Sequence, residues 1–482
     1  MPEYLSGDTI VAIATPPGEG GLAVIRLSGP ESLVYAARIF FPASGQAIAD
    51  FSSHTIHLGK ILKNRNVGAL QAGGHTPLQD SSSLEILDQA LLSVFRAPRS
   101  YTGELVVELS VHGGTLLARK ALDLLISAGA RMAEPGEFTR RAFLNGKLDL
   151  TQAEAVLDLI HSKSSRALET AARQLTGSLS LCFKRLKEDL MKLYAHMEAF
   201  LDFPEEDLEV YSDAQMKAQL ARVTSEVQSL VQSFTRGHLI REGAVVVIAG
   251  KPNVGKSSLF NVLIERDRAL VSPYAGTTRD AIEEWLEVEG YGVRLVDTAG
   301  LMAEAGHPLD ALGVQRTQEV LKRADAYLFV ADGSQALDAE DRQAFQALDA
   351  SKPCLFVAAK ADLGLPQGVK TFAEFPGAEN FVNVSAEKRS GLAELERKLV
   401  EMLKQGAGET AGEQITRLRH RRALETALEA LQKTALALDE RASLELVTFD
   451  LKRAIDSLRE LIGEIYSEDL LDVLFSEFCI GK

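Results

Sequence analysis

One eight-residue segment, GKPNVGKS at positions 250–257, restricts the fold of this chain more than any other feature. It follows residues 244–249, a continuous apolar run of the kind found in buried parallel strands, and Ser258 then opens a helical pattern. Glycines allow the backbone N–H groups of such a loop to converge on phosphate oxygens, and the helix N-terminus adds partial positive charge. The segment therefore predicts a P-loop, with Lys256 on the β- and γ-phosphates and Ser257 on magnesium.

Two further segments stand in the order expected of a P-loop hydrolase. Gly276-Thr277-Thr278 offers a threonine that can complete the magnesium shell when a γ-phosphate is present. Asp297-Thr298-Ala299-Gly300 follows a strand-like run, which places Asp297 to hold the water shell of the magnesium ion. The Gly300 N–H can follow the γ-phosphate, so the residues after it are expected to act as a switch.

A third segment, Lys360-Ala361-Asp362, predicts which base is bound, because it stands where GTPases carry Asn-Lys-x-Asp. Asp362 can accept hydrogen bonds from the Watson–Crick edge of guanine, and Lys360 can lie along the face of the base. Ala359 stands where the asparagine is expected, so one side-chain contact to the base is missing. A backbone N–H of Ser385-Ala386 can donate to guanine O6. Guanine is therefore expected, and an ATP-dependent P-loop enzyme is the alternative.

The residue that orients the attacking water is less clearly marked. Leu301 occupies the position after Asp-Thr-Ala-Gly at which Ras-type enzymes carry glutamine, and leucine cannot orient a water. Glu304, Asp310 and Gln315 are the candidates in the following stretch. No arginine there is an obvious finger, so another cation is expected to neutralise the transition-state charge.

The rest of the chain predicts further domains around this module. Residues 1–147 mix short strand-like runs with turns, which is typical of an α+β domain. Apolar residues at steps of three and four indicate amphipathic helices within 183–200, 216–234, 424–438 and 451–462. Neither helical half offers enough partner surface alone, so we expect one helical domain interrupted by the GTPase module. The predicted boundaries are 1–147, 148–240, 241–405 and 406–482.

Charge and cysteine content limit the partners and the compartment. The formal net charge is −15, and a surface field of that sign repels a phosphate backbone. A nucleic-acid substrate must therefore meet a local basic patch or be presented by a partner. Residues 417–422 form such a basic run, although the run is more typical of the solvated start of a helix. The three cysteines form neither a disulfide framework nor a zinc pattern, so a cytoplasmic location is expected, and no apolar run predicts a membrane span.

Six short segments carry a resemblance that extends from Asp8 to Lys482. They are Thr15-Pro16-Pro17-Gly18, Pro135-Gly136-Glu137-Phe138-Thr139, Arg141-Ala142-Phe143-Leu144-Asn145-Gly146-Lys147, Gln152-Ala153-Glu154-Ala155, Asp202-Phe203-Pro204-Glu205-Glu206-Asp207 and Cys479-Ile480-Gly481-Lys482. In these segments the chain resembles the tRNA modification GTPases of the MnmE (TrmE) family. The resemblance implies a multidomain α/β protein. Its parts would be an α+β N-terminal folate-binding domain that dimerises, a discontinuous helical domain and an inserted Ras-like P-loop GTPase domain.

The activity implied by the resemblance is potassium-stimulated GTP hydrolysis within a tRNA-modifying complex. A homodimer would join the flavin-dependent partner MnmG (GidA) in a heterotetramer and install an aminomethyl or carboxymethylaminomethyl group at carbon 5 of the wobble uridine. A 5-formyl- or methylene-tetrahydrofolate would supply the one-carbon unit, and hydrolysis would use GTP, Mg²⁺ and K⁺. The alternative is a GTP-controlled RNA or ribosome assembly factor, but such factors usually carry a basic RNA-binding domain that is not apparent in this sequence.

The resemblance also implies residues for the nucleotide and its ions. GTP contacts fall on Asn253, Val254, Gly255, Lys256, Ser257, Ser258, Ser272, Thr277, Thr278, Asp297, Thr298, Ala299, Gly300, Lys360, Asp362, Ser385 and Ala386. Magnesium ligands fall on Ser257 and Thr278, and potassium ligands on Asn253, Ser272, Tyr274 and Thr277. The water-orienting glutamate of the family falls at Asp310, whose side chain is one methylene shorter.

The folate contacts implied by the resemblance fall on Arg26, Glu108 and Lys147. Glu108 can accept from pterin ring N–H groups, and Arg26 or Lys147 can pair with a pterin oxygen or a folate carboxylate. From residue type alone, each of the three would instead be a surface or interface salt bridge. Cys479 is a further candidate functional residue, either as a nucleophile or as a cysteine needed for packing or partner docking.

Overall fold

The computed structural model describes residues 7–63, 85–202, 212–270, 283–298, 319–364, 375, 381–404 and 412–482. The packing divides the chain into two compact units, one of Met1–Leu157 with Ile462–Lys482 and the other of Asp158–Leu461. Residues 462–482, expected in the second helical half, therefore pack with the N-terminal residues. The exact domain boundaries stay a prediction.

The strands and helices of the described residues are numbered in chain order. The strands are β1 (Ile10–Ile13), β2 (Leu22–Ser28), β3 (Phe40–Pro42), β4 (Thr55–Leu62), β5 (Ile86–Phe95), β6 (Val106–His112), β7 (Arg131–Met132), β8 (Ala244–Ala249), β9 (Glu283–Val288), β10 (Tyr291–Asp297), β11 (Ala326–Asp332), β12 (Cys354–Ala359) and β13 (Phe381–Asn383). The helices are α1 (Ser32–Ile39), α2 (Thr115–Ser127), α3 (Glu137–Leu144), α4 (Leu150–His161), α5 (Ser165–Leu175), α6 (Ser178–Asp202), α7 (Asp213–Glu242), α8 (Lys256–Leu270), α9 (Ala339–Gln346), α10 (Leu392–Lys404), α11 (Leu418–Asp439), α12 (Leu444–Ile462) and α13 (Glu468–Ser476).

A sheet with strand order β3-β4-β5-β6-β2-β1-β7 organises the first unit. Its neighbouring strands are antiparallel, apart from the parallel pair β1 and β7. α1 and α2 pack on one face, against buried residues such as Ile25 and Leu27 of β2 and Leu109 of β6. These residues occupy alternate positions of their strands, so one face of the sheet is apolar. Helices packed on a mainly antiparallel sheet confirm the predicted α+β architecture.

Two of the segments that carry the resemblance hold a buried ion-pair network in the first unit. The Arg141 guanidinium lies 2.6 Å from an Asp8 carboxylate oxygen and 2.9 Å from a Glu137 oxygen. Arg131 pairs with the same two carboxylates at 2.6 Å each. Charges removed from water must be paired in this way, so we assign Arg141 and Glu137 to stabilising the unit.

Four helices of the second unit confirm the predicted amphipathic pattern: α6, α7, α11 and α12. Most of the predicted apolar positions are buried, among them Leu186 on α6, Val223 on α7, Leu424 on α11 and Leu451 on α12, whereas Phe200, Leu428 and Leu438 are half-buried. α7 packs along α11, which joins the two sequence halves in one helical layer. Within the described ranges, no helix combines the length and apolarity needed to cross a membrane.

The other part of the second unit is a sheet with strand order β13-β12-β11-β8-β10-β9. All of its neighbouring pairs are parallel except β9 and β10, which form an antiparallel hairpin. The carboxyl ends of β8, β10, β11 and β12 consequently meet at one edge of the sheet, where open α/β sheets bind their ligands. The start of α5 holds the hairpin turn, because Arg166 N donates to Gly290 O at 3.2 Å and the Arg166 guanidinium lies 4.6 Å from the centre of the Tyr291 ring.

Candidate functional site

The loop between β8 and α8 has the backbone conformation that its glycines predict. Gly250 has a φ of +143°, and a Cβ at this position would lie 2.2 Å from Val330 O. Gly255 also has a positive φ, +106°, and so does Asn253, at +63°. The first of these positions therefore tolerates only glycine, because any side chain would collide with the backbone of β11.

Lys256 is held inside this loop. Its side chain is buried, and its Nζ donates to Lys251 O at 2.6 Å. Burial lowers the pKa of Lys256, and the nearby Asp297 carboxylate opposes that shift. The Lys256 ammonium group is therefore poorly hydrated and bonded to a neutral backbone oxygen. Anionic phosphate oxygens would form stronger, charge-assisted hydrogen bonds with it.

Ser257 and Asp297 meet where the first turn of α8 faces the end of β10. The Ser257 hydroxyl donates to Asp297 Oδ2 at 2.7 Å, and Asp297 is 3% exposed. The next residue, Thr298, donates its hydroxyl to Ile248 O at 2.8 Å and so fixes the end of β10 beside β8. A hydroxyl and a carboxylate oxygen beside a phosphate-binding loop are the oxygen ligands that magnesium takes, directly or through water, so the residues present fit this ion.

The base-binding residues lie at the same edge of the sheet. Ser385 Oγ donates to Asp362 Oδ1 at 2.5 Å, and this bond lowers the pKa of Asp362, which keeps the carboxylate ionised and able to accept. The Ser385 N–H already donates to Ser390 O. Of the two residues predicted to donate to guanine O6, Ala386 is therefore the remaining candidate. Lys360 Nζ donates to Asp332 Oδ2 at 2.7 Å and to Asn253 O at 3.1 Å. Sequence reasoning missed Asp332, although an acidic residue that ends a strand beside the base loop was a usable signal.

Several predicted residues lie outside the described ranges, and their roles stay predictions. They are Ser272, Tyr274, Thr277, Thr278, Ala299, Gly300 and Asp310, together with Leu301, Glu304 and Gln315. The described part of the nucleotide site therefore comprises the P-loop, the end of β10 and the two base-binding segments.

A second group of predicted residues lies in the first unit. Arg26 and Glu108 face each other across β2 and β6, and their side chains pair at 2.7 Å. The Arg26 guanidinium also lies 5.6 Å from the centre of the Tyr101 ring and 5.8 Å from that of Phe138. The pair is therefore a largely buried charge cluster lined by two aromatic rings, rather than a solvated surface bridge.

The segment Cys479-Ile480-Gly481-Lys482 reaches this cluster. Arg26 Nη1 donates to Gly481 O at 3.3 Å, and Phe138 N donates to Lys482 O at 3.1 Å. Gly481 has a φ of +102°, and a Cβ there would lie 2.3 Å from Ile13 O. Burial and the neighbouring Arg26 charge lower the pKa of Lys482, whereas Glu108 opposes that shift. Lys482 therefore belongs to the cluster, although it was not predicted there.

The two other predicted residues of this unit, Lys147 and Cys479, are exposed. Lys147 Nζ donates to Pro98 O at 3.1 Å, at the start of the loop that carries Tyr101. Cys479 is an exposed free thiol in the segment that contacts Arg26. On the other side of that segment, Ile480 lines a cavity of about 490 Å³ together with the predicted Thr15-Pro16-Pro17-Gly18 turn and the start of α2.

The basic run at 417–422 is solvated only in part, whereas the sequence suggests a solvated helix start: Leu418 and Arg422 are exposed, and the Arg421 side chain is 43% exposed. Arg417 is 8% exposed and its guanidinium lies 2.6 Å from Asp158, while His420 is buried. Arg419 donates to the backbone oxygens of Glu460 and Leu461 at the end of α12. The interpretation is therefore wrong for Arg417 and His420, which are buried in the packed unit, but it holds for the exposed Arg422.

Comparison with known proteins covers nearly the whole chain. Residues 9–147 match the family model of the GTP-binding protein TrmE N-terminus, and residues 150–479 match that of the MnmE helical domain. The protein named tRNA modification GTPase MnmE of Moorella thermoacetica is 44% identical over 98% of this chain and 99% of its own length. Its namesake from Symbiobacterium thermophilum is 43% identical over 98% and 99%. A solved structure of Aquifex aeolicus Era is 27% identical over 39% of this chain and 66% of its own. Its TM-score of 0.27 is too low to show a shared fold.

Proposed function

The chain belongs to the MnmE family of tRNA modification GTPases, and on that premise we propose how its two sites divide the reaction. GTP hydrolysis at the P-loop drives the installation of an aminomethyl or carboxymethylaminomethyl group at carbon 5 of the wobble uridine of tRNA. A flavin-dependent partner, MnmG (GidA), shares the chemistry in a heterotetramer with a homodimer of this chain. The observation that carries the proposal is the cluster of Lys256, Ser257 and Asp297 at the sheet edge that also carries Asp362.

In hydrolysis, we propose that each P-loop group exchanges its present partner for the nucleotide. Lys256 leaves the Lys251 carbonyl and binds the β- and γ-phosphate oxygens of GTP. Ser257 and Asp297, already 2.7 Å apart, hold the magnesium ion and its water together with Thr278. When bound, magnesium supplies positive charge at the phosphate oxygens. Asp310 orients the attacking water, since Leu301 cannot.

Potassium is proposed to supply the charge that an arginine finger would bring. Its ligands are Asn253, Ser272, Tyr274 and Thr277. Asn253 fits such a site in one respect, because its side-chain amide oxygen is the kind of ligand that hard cations take. The ion acts when two GTPase domains of the homodimer associate.

The cluster around Arg26 is proposed to bind the folate that supplies the one-carbon unit, either 5-formyl- or methylene-tetrahydrofolate. Glu108 accepts from pterin ring N–H groups, while Arg26 and Lys147 pair with a pterin oxygen or a folate carboxylate. Lys482 is a further candidate for this site, because its backbone oxygen accepts from Phe138 N and the Phe138 ring lies 5.8 Å from the Arg26 guanidinium.

The tRNA is proposed to reach this chain with help from the partner, in the cytoplasm. The net charge of −15 opposes unassisted binding of a phosphate backbone, and Arg417 of the basic run at 417–422 is already paired with Asp158. The alternative, a GTP-controlled RNA or ribosome assembly factor, would need no one-carbon donor, so the Arg26 cluster favours the modification reaction.

The first test is GTP turnover in matched potassium and sodium buffers. We expect potassium to raise kcat at least about tenfold, because a bound cation neutralises charge that develops in the transition state. Equal rates would remove the ion from the proposal and direct the search to an arginine supplied by a partner.

The modification itself is tested by mass spectrometry of tRNA nucleosides after incubation with MnmG, GTP and a folate. We expect the modified uridine with the unaltered chain and none with Lys256→Met at the same protein concentration. Normal modification by Lys256→Met would separate hydrolysis from the chemistry and contradict the proposed coupling.

A further inference from the structure

Three loops of the nucleotide site meet at one ammonium group. Lys360 Nζ donates to Asn253 O in the P-loop at 3.1 Å and to Asp332 Oδ2 at the end of β11 at 2.7 Å. Lys360 itself begins the base loop, with a φ of +59° that places it in the left-handed region. A residue held in that conformation needs support from its surroundings, and here its own side chain ties the base loop to both neighbouring loops.

Asp332 is held in a fixed position for its contact with Lys360. It is 8% exposed, and its Oδ1 accepts from Ser334 N at 3.0 Å and from Ser334 Oγ at 2.6 Å. Burial would raise the pKa of Asp332, yet the hydrogen bonds from Lys360 and Ser334 hold it below its usual value. The carboxylate is therefore ionised and fixed on one oxygen by Ser334, which leaves the other oxygen aimed at Lys360.

Ala359 gives a reason why the P-loop contact of Lys360 matters in this chain. Ala359 is the Cα partner of Asp332 across β11 and β12, and it is buried, with its Cβ 3.6 Å from the point where a Cβ on Gly255 would stand. An asparagine here could extend a polar side chain into the P-loop region, whereas a methyl group can form no hydrogen bond. The only side chain of the Ala359-Lys360 pair able to hold the P-loop is that of Lys360.

We propose that Asp332 is a positioning residue for guanine, which fixes Lys360 across the three loops in place of the asparagine that Ala359 does not provide. The proposal rests on the assignment of Lys360 and Asp362 to the guanine pocket. With Lys360 anchored, its aliphatic stem forms a fixed surface for the base, and Asp362, two residues on, is held in register with the guanine edge. Loss of the anchor would loosen both groups together.

The first experiment measures binding of a fluorescent GDP and of the matching inosine nucleotide to the full chain. Asp332→Asn should weaken GDP binding by about tenfold to hundredfold, the range expected when a charge-assisted hydrogen bond that positions a ligand group is lost. Inosine lacks the 2-amino group that Asp362 accepts from, so the ratio of inosine to GDP dissociation constants should fall towards one. An equal loss for both nucleotides would overturn the positioning role in favour of a general structural one.

Two double variants test whether Asp332 and Lys360 act together, so that the conclusion does not depend on one substitution. Lys360→Met should weaken GDP binding as much as Asp332→Asn, and the double variant should be no weaker than either alone, because the two side chains act as one unit. In an Ala359→Asn background, the penalty of Asp332→Asn should shrink to less than about threefold, since the asparagine takes over the anchoring. Additive losses in the first pair, or an undiminished penalty in the second, would overturn the proposal.

Asp349→Asn is the matched control, because this exposed carboxylate caps Ser351 before the amino end of β12, at the opposite edge of the sheet. It should leave both dissociation constants unchanged. Asp362→Asn distinguishes the guanine assignment of Asp362 from the anchoring role of Asp332. If Asp362→Asn does not affect GDP binding, the guanine assignment fails. If it weakens GDP binding while Asp332→Asn does not, only the anchoring role fails.

Discussion

The nucleotide site and the Arg26 cluster, both proposed to bind anionic ligands, are built by different means. The P-loop depends on the path of the backbone: Gly250 and Gly255 have positive φ values, and the buried Lys256 is held by a backbone carbonyl. The Arg26 cluster depends on side-chain charges, those of Arg26, Glu108 and Lys482. A site of the first kind should fail when a methyl group is added, and one of the second kind when a charge is removed or titrated.

The largest effect that would test this contrast is expected from Gly250→Ala. The added Cβ would lie 2.2 Å from Val330 O at a φ of +143°, so the loop must move. We expect the free energy of unfolding of the second unit to fall by at least about 3 kcal/mol. GTP binding should weaken by more than about hundredfold. Gly412→Ala is the control, since Gly412 has a φ of +135° but nothing within 4 Å, and should cost about 1 kcal/mol. Normal GTP binding by Gly250→Ala would mean that the loop does not depend on its backbone path.

Asp310→Asn should separate catalysis from binding at the same site. Loss of a water-orienting carboxylate is expected to lower kcat about hundredfold while GTP affinity stays within about threefold. Single-turnover hydrolysis and equilibrium binding measure the two quantities. Glu304→Gln is the comparison, and a larger loss of kcat there would transfer the role from Asp310 to Glu304.

Lys147→Ala examines the side-chain site with a smaller expected effect. Lys147 is exposed, so its removal should cost little stability but weaken 5-formyltetrahydrofolate binding by about tenfold, as expected for one charged contact. Isothermal titration calorimetry gives the dissociation constant, and GTP binding in the same sample serves as the internal control. An unchanged folate dissociation constant would sink the assignment of Lys147.

The smallest effect concerns the pH dependence of Lys482. Its pKa in the folded chain lies below the ordinary value of a lysine side chain, so between the two pKa values the unfolded chain binds more protons. The free energy of unfolding should therefore rise with pH through this window, and folate binding should weaken there as the charge is lost. Lys482→Met should abolish both trends. A folate affinity that is flat with pH in the unaltered chain would exclude Lys482 from the site.

The parts of the molecule that the sequence predicted are those determined by local rules. The P-loop follows from glycine positions and an apolar run, and α6 follows from apolar steps of three and four, as Leu186 and Leu190 confirm. Asp332 and Lys482 were missed because their roles arise from neighbours brought together by the fold. Arg417 was misjudged for the same reason, since its partner Asp158 lies far away in the chain and no periodicity links the two.

Residues 462–482 complete a unit that otherwise consists of residues at the beginning of the chain. A ribosome makes all of Asp158–Leu461 before it makes the segment that contacts Arg26. Until then, the nascent first unit lacks the backbone oxygen of Gly481 and the strand partner of Pro135. The P-loop segment has by that stage emerged in full, so during synthesis this protein should be able to engage a nucleotide before it can hold a one-carbon donor.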